Sequence, residues 1–150
     1  MSVVDKSLVG RVLPPTEPYL VGREKVREFA LAVGEDAAVC REPAAARAAG
    51  HPDVLAPPTF TIAFVLPAIE AFLRDPATGW DYAHMVHAEQ QVTLHRPVCA
   101  GDEVRTTIHV DDLRTRAGSH ALTLRCEVAD ATGASVATCK AVLVTAAEAP

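Results

Sequence analysis

Apolar and polar residues along this chain change their period near its middle. Val26, Phe29, Ala30 and Val33 recur at helical spacing and predict a helix over residues 22–33, with Gly34 as its stop. A shorter helix is predicted over 43–49, with Pro43 in its first turn and Gly50 beyond its end. From 59 to 73, Phe60, Ile62, Phe64, Val65, Leu66, Ile69, Phe72 and Leu73 leave almost no polar face before Glu70 and Arg74. A helix apolar nearly all round is a buried one. Thr59 is its expected cap and Pro67 its expected kink. Farther on the period becomes two. Val104, Thr106, Ile108 and Val110 alternate with charged and polar residues, as do Leu122, Leu124, Cys126 and Val128. Residues 135–145 form another β-rich run, and 86–96 a fourth strand. A short strand at Tyr19-Leu20-Val21 follows an extended start held out of helix by Pro14, Pro15 and Pro18. Turns are expected at Ala100-Gly101-Asp102, Ala117-Gly118-Ser119 and Asp130-Ala131-Thr132-Gly133.

Helices first and strands afterwards argue an α+β fold in which a curved antiparallel sheet wraps the helix at 59–73. Such a sheet has edges, and edges are paired or covered. A dimer is therefore expected.

The length of 150 residues suits one domain, 1–150, and 49% hydrophobic residues supply a core. The net charge of −5 argues against nucleic acid, because no Lys/Arg cluster offsets it. Arg23, Lys25 and Arg27 share a helix with Glu24 and Glu28, which is ordinary solvated surface. Residues 1–13 are too polar for a secretion leader and no run is long enough to span a membrane, so a cytoplasmic location is expected. Cys40, Cys99, Cys126 and Cys139 form no CxxC pair and are expected as free thiols. His84 and His87 are three apart, but in a loop leading into a strand and without a further ligand, so no metal is expected.

Three segments resemble the MaoC-like dehydratases, specifically the N-terminal dehydratase domain related to type I fatty acid synthase. Phe29 to Gly34 leads into that family's catalytic loop. Ala56-Pro57-Pro58-Thr59-Phe60 looks like its entry to the central helix. Val86-His87-Ala88-Glu89-Gln90, with Leu94-His95-Arg96-Pro97 and Ala100-Gly101-Asp102 behind it, looks like its first sheet strand and turn. The resemblance implies a hot-dog fold, a long helix held in an antiparallel sheet, and chemistry on (3R)-hydroxyacyl thioesters carried by a carrier protein (ACP) or coenzyme A. It implies no cofactor. Pro58, Thr59, Phe60 and His87 become its substrate-binding candidates.

The family's hydratase motif is Gly-Asp-x-Asn-Pro-x-His, whose Asp and His handle the hydroxyl and the C2 proton. Here Gly34 matches, Glu35 stands for the Asp, Ala37 and Ala38 for the Asn and Pro, and Cys40 for the His. Elimination needs an acid and a base within reach of one substrate. A longer carboxylate is displaced, and a thiol with an ordinary pKa of about 8.5 is a poor proton shuttle. The resemblance therefore implies a non-catalytic subunit that pairs with a catalytic MaoC-like chain and bounds the acyl channel. Two alternatives stand beside it. One is a homodimeric hydratase or thioesterase using Glu35 or Glu70. The other is a thioester-binding protein without turnover.

Other residues have plainer readings. Cys40 could attack a thioester, but no base adjoins it in sequence, and a loop thiol is the default. Glu70 is expected to pair with Arg74 one turn on. His87, Glu89 and Gln91 are expected on one strand face, at the dimer seam or as plain polar surface. Trp80 and Tyr82 are expected to clamp the end of the helix.

Overall fold

A computed structural model describes residues 4–116 and 118–146. The order of elements is β1 (Tyr19–Leu20), α1 (Arg23–Ala32), α2 (Pro43–Ala48), α3 (Ile62–Leu73), β2 (Met85–Leu94), β3 (Glu103–Arg116), β4 (Ser119–Asp130) and β5 (Ser135–Ala146). The strands form one antiparallel sheet in the order β1-β3-β4-β5-β2. Its inner face closes on α3. Val104, Ile108, Leu122, Leu124, Val128, Ala141 and Leu143 from the strands meet Phe64, Val65, Ile69, Phe72 and Leu73 from the helix, all buried. This is the α+β arrangement that the change of period anticipates.

Local signals set the element ends. Gly34 ends α1 at φ +74, where a Cβ is disfavoured, and the Glu35 N–H returns to the Ala30 carbonyl at 2.8 Å. The expected turn at 130–133 is pinned by Asp130, whose Oδ1 accepts from the Thr132 and Ala134 amides at 2.9 and 3.1 Å. Of the turn at 117–119, Ala117 lies outside the described residues.

Three expectations are corrected. Thr59 does not cap the central helix. A 3-10 turn, Pro58–Thr61, precedes α3, and Thr61 is its N-cap residue without a side-chain capping bond. The Thr61 hydroxyl is buried with no nitrogen or oxygen partner and lies against the Cys139 thiol. Glu70 does not pair with Arg74. It accepts the Tyr82 hydroxyl at 2.5 Å, while the Arg74 guanidinium stacks 4.0 Å from the centre of the Tyr82 ring. Tyr82 follows the helix closely enough to occupy both partners at once. With the buried Trp80, whose indole donates to Met85 Sδ at 3.4 Å, it closes the helix end as expected. Finally, His87 does not share a face with Glu89 and Gln91. A β-bulge between His87 and Glu89 places two residues of β2 against one of β5 and reverses the alternation.

The two edges of the sheet differ. Beside β3, residues 10–16 run antiparallel to it: Gly10 N–H to Val110 O at 2.9 Å, Leu13 N–H to Ile108 O at 2.9 Å and Thr16 N–H to Thr106 O at 3.0 Å. Pro14, Pro15 and Pro18 remove three backbone donors from that border. At the opposite border β2 is bare. Every residue from Val86 to Thr93 is exposed, including Val86 and Val92.

Candidate functional site

The loop after α1 carries the two positions at which the hydratase pair would stand. Glu35 spends its carboxylate locally, accepting the Ala37 amide at 2.9 Å. Cys40 closes the 3-10 turn Ala38–Cys40 and is buried. Burial pushes the Cys40 thiol up from its ordinary range, and the nearby Glu35 charge adds to the shift. The thiol is thus held protonated, and the carboxylate beside it opposes its ionisation. A thiol whose proton is held in this way does not stand in for an imidazole that takes up and releases a proton near neutral pH.

Among the described residues, no imidazole hydrogen-bonds to Glu35. His84 pairs with Asp81 at 2.9 Å, His87 with Gln90 at 2.9 Å, His95 with Thr138 at 2.8 Å and His120 with Thr115 at 2.8 Å. His109 faces Glu127 at 3.2 Å. The other three cysteines are free, buried thiols, and burial pushes Cys126 up to about 12. None is poised as a thiolate nucleophile.

The segments around this loop are firmly tied. Arg23, at the start of α1, grips Asp53 with Nε at 3.0 Å and Nη2 at 2.6 Å, and Arg47 of α2 approaches the same carboxylate at 3.8 Å. The Arg23 contact and the Val54 amide hold the Asp53 pKa down at about 2. Leu55 N–H reaches Val39 O at 2.9 Å, and Ala56 N–H reaches Val98 O at 2.8 Å, which leads the chain into α3.

A cavity of about 400 Å³ lies elsewhere, between the start of α3 and the inner face of β2. Thr59, Ile62, His87, Ala88, Glu89, Gln90 and Val92 line it. Of the residues singled out in the sequence, Thr59 and His87 therefore meet here. Pro58, although exposed, does not line the cavity, and neither do Glu35 and Cys40. Phe60 is fully buried, edge-on to Phe29 at 5.3 Å and to Phe64 at 6.3 Å. Its place is in the core. Glu70, near the other end of α3, is engaged by Tyr82 and is also absent from the cavity. Gln90 and Val92 escaped the sequence reading as site residues because only the bulge brings them onto one face with His87, and Ile62 was read only as part of the apolar helix. No glycine marks that bulge.

No helix among the described residues is long and apolar enough to cross a membrane. Among the same residues no group of three His, Cys, Asp or Glu is placed to hold a metal.

Residues 7–139 match the family described as the FAS1-like, dehydratase domain region. A UPF0336 protein of Saccharopolyspora erythraea is 48% identical over 141 residues, covering 94% of this chain and 90% of its own length. Among solved structures, a MaoC-like dehydratase is 31% identical with a TM-score of 0.85, covering 94% of this chain and 43% of that one. The HadBC (3R-hydroxyacyl-ACP dehydratase) complex of Mycobacterium tuberculosis contains a chain 26% identical with a TM-score of 0.82, covering 91% of this chain and 96% of that one.

Proposed function

The chain belongs to the FAS1-like dehydratase-domain family and has the hot-dog fold of the MaoC-like dehydratases, and from that premise we propose that it is a non-catalytic subunit of a (3R)-hydroxyacyl-thioester dehydratase or hydratase. It pairs through β2 with a second hot-dog chain that carries the intact Asp and His, and its α3 and inner sheet face bound the channel for the acyl tail.

The state of the loop carries this reading: a carboxylate turned onto its own backbone and a buried thiol where an imidazole would be required. The asymmetry of the sheet supports the pairing. One border is closed by prolines and an antiparallel strap, whereas the other is a ten-residue strand with open backbone groups and an apolar cavity beside it. The HadBC structure is a complex of dehydratase chains, in keeping with a partner of the same fold.

Turnover by this chain alone, through Glu35 or Glu70, has less behind it. Neither carboxylate reaches the cavity, and each already accepts a hydrogen bond from its own chain.

Amide hydrogen exchange with and without a catalytic hot-dog partner tests the pairing. Protection is expected to appear over 85–94 and to leave 10–20 unchanged. Protection confined to the strap, or no new protection in a mixture that forms a complex, contradicts it.

A further inference from the structure

The bulge in β2 has a chemical consequence. Regular alternation would put His87 on the same face as Glu89 and Gln91. With the bulge, His87 lies opposite Leu143 and Gln90 opposite Ala141, both core-facing residues of β5, so His87 and Gln90 point to the inner face together. There His87 Nε2 and Gln90 Oε1 are 2.9 Å apart. Glu89 and Gln91 turn to the outer face and bond to each other at 2.7 Å.

This contact fixes the polarity of the pair. Gln90 Oε1 can only accept, so the neutral imidazole carries its hydrogen on Nε2 and keeps Nδ1 as a free acceptor. The Gln90 carboxamide nitrogen keeps its donors, with only a long 3.5 Å approach to the Gln91 carbonyl. One acceptor and one donor thus stand side by side in a mainly apolar cavity that Ile62, Ala88 and Val92 line with them, with Thr59 and Glu89 at its polar margin. That pattern complements a secondary amide, whose N–H and C=O need one of each. At about 400 Å³ the cavity falls in the range of roughly 300–1,000 Å³ typical of small-molecule sites.

We propose that the His87–Gln90 pair, aimed by the Ala88 bulge, anchors the amide-bearing pantetheine arm of the acyl thioester, and so positions a substrate whose chemistry is done by the partner chain. The proposal rests on the functional reading above. The arm is common to coenzyme A and to carrier proteins, and the anchor acts on both. Its amides present hydrogen-bonding groups on a chain that is otherwise largely apolar, which suits a mainly apolar cavity with a donor and an acceptor side by side.

The test is steady-state hydration by the chain assembled with a catalytic hot-dog partner. Crotonyl-CoA, crotonyl carrier protein and the crotonyl ester of ethanethiol, which has no amide, are compared. His87→Ala and Gln90→Ala are expected to raise KM for both pantetheine thioesters by about fivefold to tenfold, the scale of one lost neutral hydrogen bond. The KM ratio between either of them and the ethanethiol ester narrows by the same factor, and kcat holds. His87→Asn, which keeps an acceptor, restores part of the ratio. A ratio unchanged in both alanine variants overturns the anchor. If crotonyl-CoA alone responds, the pair recognises the nucleotide end of coenzyme A and the anchor is overturned as well. If the wild-type chain does not stimulate its partner at all, the subunit reading fails. The anchor is then decided by NMR titration of the chain with pantetheine: shifts at His87 and Gln90 that vanish in the double alanine variant support it, and no shifts overturn it.

Discussion

On the proposed reading Glu35 and Cys40 do not form a proton-transfer pair, and for different reasons. Glu35 keeps an ionisable group but directs it to the Ala37 amide. Cys40 keeps a proton but resists releasing it, since burial and the Glu35 charge both raise its pKa. The thiolate fraction at neutral pH is therefore below that of a free cysteine. Alkylation of Cys40 by iodoacetamide is expected to be slow in the native protein and to rise only at a pH above that for the unfolded chain. Peptide mapping after a timed pulse reads this out, and rapid labelling at pH 7 contradicts it. The replacement of the motif's Asp and His by Glu35 and Cys40 is legible in the sequence letter by letter. The geometry of His87 was not legible. Its face depends on the insertion of one residue, Ala88, in a strand whose composition gives no sign of irregularity.

At the scale of elements, α3 was legible because its apolar residues run around the whole helix, and β3 to β5 because buried residues alternate regularly from Val104 to Val110, from Leu122 to Val128 and from Ala137 to Thr145. The start of α3 was not, since Thr59 and Thr61 are equally good capping types and neither caps. Thr61 buries a hydroxyl that gains no nitrogen or oxygen partner. An unmet buried hydroxyl costs about 1–3 kcal/mol, so Thr61→Val is expected to stabilise the fold by about 1 kcal/mol, measured by urea unfolding. A loss of stability would mean that the contact with Cys139 outweighs the unmet hydroxyl. The ties around the loop have an acid signature. Asp53 titrates at about 2 in the folded chain against about 3.9 in an unfolded one. A depressed carboxylate stabilises above its unfolded pKa and loses that contribution as the pH falls through its folded pKa. The urea midpoint is therefore expected to fall from pH 4 toward pH 2, with a shallower slope in Asp53→Asn. Asp130, also held at about 2, retains the remaining dependence. An unchanged slope in Asp53→Asn would deny Asp53 that role.

For the whole molecule, the central relation is between a sheet covered on one side and open on the other, and a loop that carries Glu35 and Cys40 where the family motif has Asp and His. Prolines 14, 15 and 18 predicted an extended start, but that this start seals the β3 border required the register of residues 10–16. The bare strand β2 and the cavity at the head of α3 then lie together on the remaining side. On the proposed reading such a chain supplies surface and substrate positioning, while another supplies proton transfer. The most direct test is crotonyl-thioester hydration by the purified chain alone and again with a catalytic hot-dog partner, each with wild-type protein and Glu35→Gln. No turnover is expected alone, turnover above the partner's own is expected in the mixture, and Glu35→Gln is expected to match wild type in both. Hydration by the isolated chain that disappears in Glu35→Gln would contradict the account.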